Sequence, residues 1–429
     1  MSTFQIIVLG VCAALILIGV GVFASFGGVL GGGGTGQVVI WGTLDGTMMN
    51  NVLTSLRNAD ETFQDVSYTE KNPATYDTEL LNAMAAGTGP DLFLIDSDKL
   101  HSFSDKIITI PYRLVSQNVF LNSFVDESEL FLTTQGELAL PFTIDPLVMY
   151  WNRDLLATAG LGEPPRYWNE LLAVAPKVTA LDRSNITKSA VALGTWSNVA
   201  HAKEILSTLF MQAGDRVVVR GEDGALLPVL GSATGGGSAD APSALRFYTD
   251  FANPTKTTYS WNRGLPLSTN AFVAGDVALY FGFVSEFNAI AARNPNLRFS
   301  VAQVPQVEGA LSSATFGRMT GLAIPRSARN IEGAAIIAEK LVSAETIALV
   351  AQATGLPPVR RDVVFDTSAN AAAGVFAGAA LIARGWLDPE PEATDDIFQA
   401  MIESVISGGA EPANAVNTAA QGLRQLVGR

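Results

Sequence analysis

The side chains with chemistry to offer stand just after short apolar runs. Asp96 and Asp98 sit two apart at the end of Leu92-Phe-Leu-Ile95. A carboxylate pair of this kind serves glycoside hydrolysis when one member protonates a leaving group and the other attacks or activates water. The same pattern arises where an aspartate caps the helix that follows. Trp41 and Asp45 follow Val38-Val-Ile40 in the same way, and Asn72 and Tyr76 flank the next loop. A ring beside a carboxylate forms a stacking and hydrogen-bonding wall. Other chemistries are excluded by counting. Two histidines, His101 and His201, cannot build a histidine-rich metal site or a multi-histidine relay. The single Cys12 closes no intrachain disulfide and forms no cysteine cluster. G-x-S-x-G, Walker A and H-E-x-x-H patterns are absent from the sequence.

The elements that must hold these residues alternate in type. Residues 37–42 read as a buried strand, 47–57 as a helix with Met48, Val52 and Leu56 on one side, and 66–68 as a second strand. Residues 76–86 are a helix closed by Gly87, and 91–96 are a third strand. Strand, helix, strand, helix, strand predicts an α/β domain with a mainly parallel sheet. The pattern repeats through the middle of the chain, with strands at 147–151 and 277–281 and helices at 166–175, 200–212, 244–251 and 271–275. Residues 231–240 are a loop by composition. Helices return at 331–342, 344–353, 394–406 and 413–426. Trp151 and Trp168 fall within strand and helix patterns and read as core, and His101 and His201 read as ordinary surface or helix residues.

At 429 residues the chain is long enough for two or three domains, and 48% hydrophobic content with 16% charged residues excludes a mainly disordered chain. The formal net charge of −14 opposes nucleic-acid and anionic-lipid binding. No charged side chain occurs before Asp45. At about 1.5 Å per residue, residues 6–30 are long enough to cross a ~30 Å hydrocarbon core as a helix. Residues 31–36 then read as a glycine-rich tether. An uncleaved single-pass anchor carrying an external body is the expectation. Cleavage after Val22-Phe23-Ala24 is the alternative, although a basic n-region is missing.

The order of the segments resembles a family. Val38-Val-Ile-Trp41-Gly42 opens it, followed by Tyr76-Asp-Thr-Glu-Leu-Leu-Asn-Ala-Met-Ala-Ala-Gly-Thr-Gly-Pro-Asp91. Leu140-Pro-Phe-Thr-Ile-Asp145 runs into Met149-Tyr-Trp-Asn-Arg-Asp-Leu-Leu156, then Ala159-Gly-Leu161 and Pro164-Pro-Arg-Tyr-Trp-Asn-Glu-Leu171. Phe272-Val-Ala-Gly-Asp-Val-Ala-Leu279, Gly355-Leu-Pro-Pro358 and Ser407-Gly-Gly-Ala-Glu-Pro412 complete the series. In this order they resemble the extracellular solute-binding proteins of ABC importers, in the carbohydrate-type branch that includes maltose-binding protein.

The resemblance implies a two-lobed clamshell of the type II periplasmic-binding-protein kind. Lobe 1 would be 37–142 plus 304–343, and lobe 2 would be 143–303 plus 344–429. The chain would cross between them near Phe142, Val304 and Ser343. It implies a monomer without cofactor or metal, held at the cell membrane by its N-terminal helix. Such a protein captures a small solute, most naturally a carbohydrate, and hands it to permease subunits; it is not an enzyme. Sugars need aromatic plates for their C–H faces and charged or amide partners for their hydroxyls. Trp41, Asp45, Asn72, Tyr76 and Asp96 would supply these from lobe 1, with Thr143 and Asp145 at the first crossing. Trp196, Trp261, Phe281, Gly282 and Phe283 would serve from lobe 2, with Phe316 and Arg318 before the strand at 321–324. Phenylalanine at 283, after Gly282, where the family often has glycine then tryptophan, makes a weaker plate. Arg318 replaces a common glycine. Acidic residues in the cleft would also suit a cationic solute. A tethered sensory or adhesion module and a glycoside hydrolase are the competing readings.

Overall fold

The first three strands are β1 (Val38–Gly42), β2 (Val66–Glu70) and β3 (Leu92–Asp96). β1 pairs in parallel with both others, and β3, the run Leu-Phe-Leu-Ile, is buried along its length up to Asp96. A continuous apolar run suits a strand covered on both faces. Helix α1 (Gly46–Ala59) joins β1 to β2 and buries Met49, Val52, Leu53 and Leu56. Helix α2 (Tyr76–Ala86) joins β2 to β3 and stops at Gly87, whose φ of 65° is the left-handed conformation that ends helices. The computed structural model describes residues 35–113, 116–221, 223–232, 240–310, 312–366 and 371–428. The anchor expected over 6–30, most of the tether and most of the 231–240 loop lie outside the described residues. Among the described residues no helix is long and apolar enough to cross a membrane.

Seven further strands extend this sheet. They are β4 (Leu140–Asn152), β5 (Ala180–Asp182), β6 (Asn185–Val191), β7 (Val277–Phe283), β8 (Phe299–Ala302), β9 (Thr315–Ala323) and β10 (Ala383–Arg384). The order is β2-β1-β3-β9-β4-β7-β6-β5, with β8 on β4 and β10 on β9. The two mainly parallel sheets expected from sequence are thus one continuous mixed sheet, because β4 and β9 run antiparallel through its middle. At ~3.3 Å per residue β4 is about 40 Å long, enough to serve both halves. Its first part pairs with β9, from Leu322↔Leu140 to Gly317↔Pro146. Its second part pairs with β7 and β8, from Leu147↔Phe283 to Asn152↔Phe299. The chain near Val301 therefore still lies beside the second half-sheet, and β9 carries it back to β3.

Helices cover the faces. Helix α3 (Ala202–Gln212) packs on β9 and on α4 (Ala241–Asp250). Helix α5 (Ile331–Leu341) is followed by α6 (Ala344–Thr354), which packs against α1 beside the first half-sheet. The stretch just after Ser343 thus stays with the first half. Helices α7 (Pro391–Ile406) and α8 (Pro412–Val427) pack on each other and on α4. The second half is rich in aromatic core: Trp168 contacts Phe281 and Phe247, with ring centres 5.4 and 5.7 Å apart.

Candidate ligand-binding site

Side chains alternate along β9, so Phe316, Arg318 and Thr320 point to one face of the two crossing strands. Arg318 is the centre of the arrangement. Its Nη2 donates to Glu204 Oε1 at 2.8 Å, and its guanidinium carbon lies 3.9 Å from the centre of the Phe283 ring. Asp145 on β4 is its cross-strand partner. Half of the Arg318 side chain still reaches solvent, against 15% for Glu204. Two residues along, Thr320 Oγ1 donates to Asp96 Oδ1 at 2.6 Å, which brings the end of β3 to the same place. Asp145 Oδ1 accepts from Ser285 N at 3.0 Å. The turn after β7 is tied by Glu286, which accepts from Phe283 N at 2.8 Å and from the Tyr280 hydroxyl at 2.6 Å. His201 Nε2 lies 2.7 Å from Glu286 Oε1 and its ring meets Phe283 edge-on. Strand ends from both half-sheets thus converge where β4 and β9 cross.

The electrostatics follow from acids crowded around one guanidinium. Asp98 is pushed up to about 7, first by burial and then by the charge of Asp96. Asp145 is pushed up to about 6 by burial, which its Ser285 hydrogen bonds and Arg318 only partly offset. Asp96 touches solvent at the strand end, yet the protein crowded around it raises its pKa, with Thr320 and Arg318 pulling the other way. Burial works against ionisation of Glu204 and Glu286 too. There Arg318 and His201 hold Glu204 below the usual carboxylate range, and His201 and Tyr280 do the same for Glu286. Burial also opposes the charge on Arg318, but Glu204, Asp145 and Asp98 outweigh it and raise its pKa. The result is a set of hydrogen-bond acceptors of graded charge beside one planar donor.

The structure gathers Asp96, Thr143, Asp145, Phe283 and Arg318 at this point. Thr143 is buried opposite Thr320. Phe316 is half-buried on the Arg318 face, with its backbone N–H on Thr208 Oγ1. Trp41, next to last in β1, is half-buried, with Lys71 Nζ 3.7 Å from its ring centre. Trp196 is half-buried at the edge of the core.

Other expected ligand residues have partners within the fold. Asp45 is the N-cap of α1, accepting from Met48 N at 2.7 Å, and Asn72 closes its own turn by accepting from Ala74 N at 3.0 Å. Tyr76 is buried, and its hydroxyl ties Leu94 O at 2.9 Å to Trp41 O at 3.1 Å. Trp261 is fully buried with Nε1 donating to Asn198 Oδ1 at 3.1 Å, so it offers no face to a solute. Phe281 packs on Trp168 in the core, because β7 is buried on both faces. A Cβ at Gly282 would stand 2.6 Å from the Tyr280 ring, so that position needs glycine for packing.

Sequence reasoning missed Glu204, Ser285, Glu286 and the role of His201. His201 is no ordinary helix residue: it precedes α3 in the left-handed conformation, with φ of 60°. Its spacing of three from Glu204 at a helix start was the available signal. Among the described residues no group of three His, Cys, Asp or Glu is arranged to hold a metal.

Residues 58–377 match the profile of the bacterial extracellular solute-binding protein family. A binding protein of Brucella abortus (strain 2308) is 25% identical over 362 residues, covering 80% of either chain. The cyclic α-maltosyl-1,6-maltose binding protein of Arthrobacter globiformis superposes with a TM-score of 0.74 at 18% identity, covering 91% of this chain and 98% of that one. An ABC transporter solute-binding protein from Thermotoga lettingae, bound with α-D-tagatose, gives 0.67 at 22% identity, covering 91% and 100%. The structural likenesses show a shared periplasmic-binding-protein-like α/β fold. With three quarters of its length matched by the profile, the chain belongs to the bacterial extracellular solute-binding proteins.

Proposed function

We propose that this protein binds a carbohydrate between two lobes and closes on it as a clamshell, delivering it to the permease of an ABC importer. The single observation that carries this reading is the Arg318 centre. Carboxylates of both half-sheets face one half-exposed guanidinium where the crossing strands meet. Hydroxyl-rich solutes need this mixture of charged acceptors and a planar donor, because each hydroxyl both donates and accepts. Trp41 and Trp196, half-buried near strand ends, are the aromatic walls of this reading. Sugar ligands named for the Arthrobacter and Thermotoga proteins support it. The hinge would lie in β4 and β9, near 143–146 and 316–320. The N-terminal 30 residues would anchor the body on the outer face of the membrane and raise its local concentration near the permease. Ligand capture would shift an open–closed equilibrium without chemistry on the solute.

A thermal-shift screen of the 35–429 body against sugars, polyols, amino acids and polyamines tests it. Binding stabilises the folded state by mass action, about 2.7 kcal/mol at a hundredfold excess over Kd. A sugar should raise Tm without being consumed. A polyamine or amino acid raising Tm while all sugars leave it unchanged would overturn the ligand class.

A further inference from the structure

Phe283 stands at the end of β7 where an aromatic plate for a sugar would be expected, yet only 1% of its surface is exposed. The protein itself covers it. The Arg318 guanidinium lies 3.9 Å above the ring, and the His201 ring meets it edge-on at 4.8 Å. A guanidinium held over an aromatic face occupies the surface on which a sugar ring would stack. Glu204 pins the guanidinium there through a 2.8 Å charge-assisted hydrogen bond. The same guanidinium remains half exposed, so it can donate to one ligand while blocking a second position.

We infer that Arg318 limits the length of the ligand, by holding the Phe283 face closed to a further sugar ring. The inference rests on the carbohydrate reading. A short ligand uses Arg318 as a donor. A longer one has to displace it, giving up its stacking on Phe283 and its bond to Glu204. Removing Arg318 therefore has opposite effects at the two ends of a length series. Short sugars lose a hydrogen-bond donor, whereas long ones gain a free aromatic plate. The removal must include Glu204, because that carboxylate is 15% exposed and would otherwise be left buried and unpaired.

The test is calorimetric titration of wild type and of the Arg318→Ala/Glu204→Gln double variant. The probes are α-1,4-gluco- and β-1,4-manno-oligosaccharides of one to four units. In wild type a tetrasaccharide should bind no tighter than the disaccharide of its series. In the double variant the ratio of tetrasaccharide to monosaccharide affinity should rise by about tenfold, as expected for regaining one aromatic contact. Arg318→Lys keeps the charge but not the planar stack, so it should give a smaller rise in that ratio; it also covers the case in which the double variant does not fold. A tetrasaccharide that binds wild type tenfold tighter than its disaccharide overturns the inference. So does an unchanged ratio in whichever of the variants folds. Absence of binding of every sugar to all three proteins overturns the carbohydrate reading itself, and the length gate with it.

Discussion

Two tryptophans contrast a core residue with one proposed for the site. Trp168 is 5% exposed, and its Nε1 donates to Gln212 Oε1 at 2.6 Å. Trp168→Ala should cost roughly 3–5 kcal/mol of stability, through the cavity and the orphaned amide. Trp196 is half-buried at the core edge. Trp196→Ala should weaken sugar binding by about 1–3 kcal/mol and leave circular dichroism unchanged. Unfolding by Trp196→Ala would make it core. Sequence reading places Trp168 in the core, because it falls within a helical run, and assigns Trp196 to the site, because it follows a strand. It failed at Trp261, whose neighbours from Thr257 to Arg263 are polar and look like an exposed loop. The reason is a long-range tie. Asn198 Nδ2 donates to Asn262 O and Leu265 O at 2.9 Å each, folding the loop inward and carrying the ring with it. No local pattern announces a partner 64 residues away.

At the scale of elements, the helices flanking β1 to β3 and those three strands were legible, whereas only parts of the crossing strands were, 147–151 within β4 and 321–324 at the end of β9. Helix α2 has the bounds that its pattern predicts, since Gly87 supplies the stop. Strand β4 contains Pro141 and Pro146, which argue for a turn because proline donates no ladder hydrogen bond. The sheet accommodates Pro141 at an irregularity, where the register shifts between Thr320 and Gly321 on the facing strand. The β4–β9 pairing joins the two half-sheets, and it has little room for change: a Cβ at Gly321 would stand 2.8 Å from the Phe131 ring. Motion should therefore be rotation about β4 and β9, not refolding. Small-angle scattering with a saturating sugar should show a smaller radius of gyration at constant circular dichroism. An unchanged radius would leave a preformed pocket as the better account.

Over the whole molecule, the excess of acid is also an excess of buried acid. Glu127 is 1% exposed, neither of its carboxylate oxygens has a hydrogen-bond partner, and burial pushes it up to about 8 despite Arg384. Its carboxylate fills the space beside Gly317 and Gly385, where a Cβ would come within 3.0 and 2.4 Å of it. Burial likewise pushes Glu137 up to about 7. With Asp98 near 7 and Asp145 near 6, these four acids hold their protons to higher pH in the folded protein than an ordinary carboxylate does. An acid whose folded pKa is raised adds stability that is complete below its unfolded pKa, and that stability is lost as pH rises through the folded value. The window here runs from about pH 4 to about pH 8. His101 works in the opposite sense, because burial lowers its pKa and favours the folded state only as pH rises. Asp60, lowered to about 2 by Lys340 and Thr62, acts below this window. The acids outnumber the histidine, so Tm should be higher at pH 5 than at pH 8. For Glu127 alone the slope approaches about 1.4 kcal/mol per pH unit at its steepest. Glu127→Gln keeps the shape without the charge, so it should flatten the dependence and raise Tm at pH 8 relative to wild type. A Tm that climbs steadily from pH 5 to pH 8, in wild type and in Glu127→Gln alike, would mean that these carboxylates find partners or water in solution.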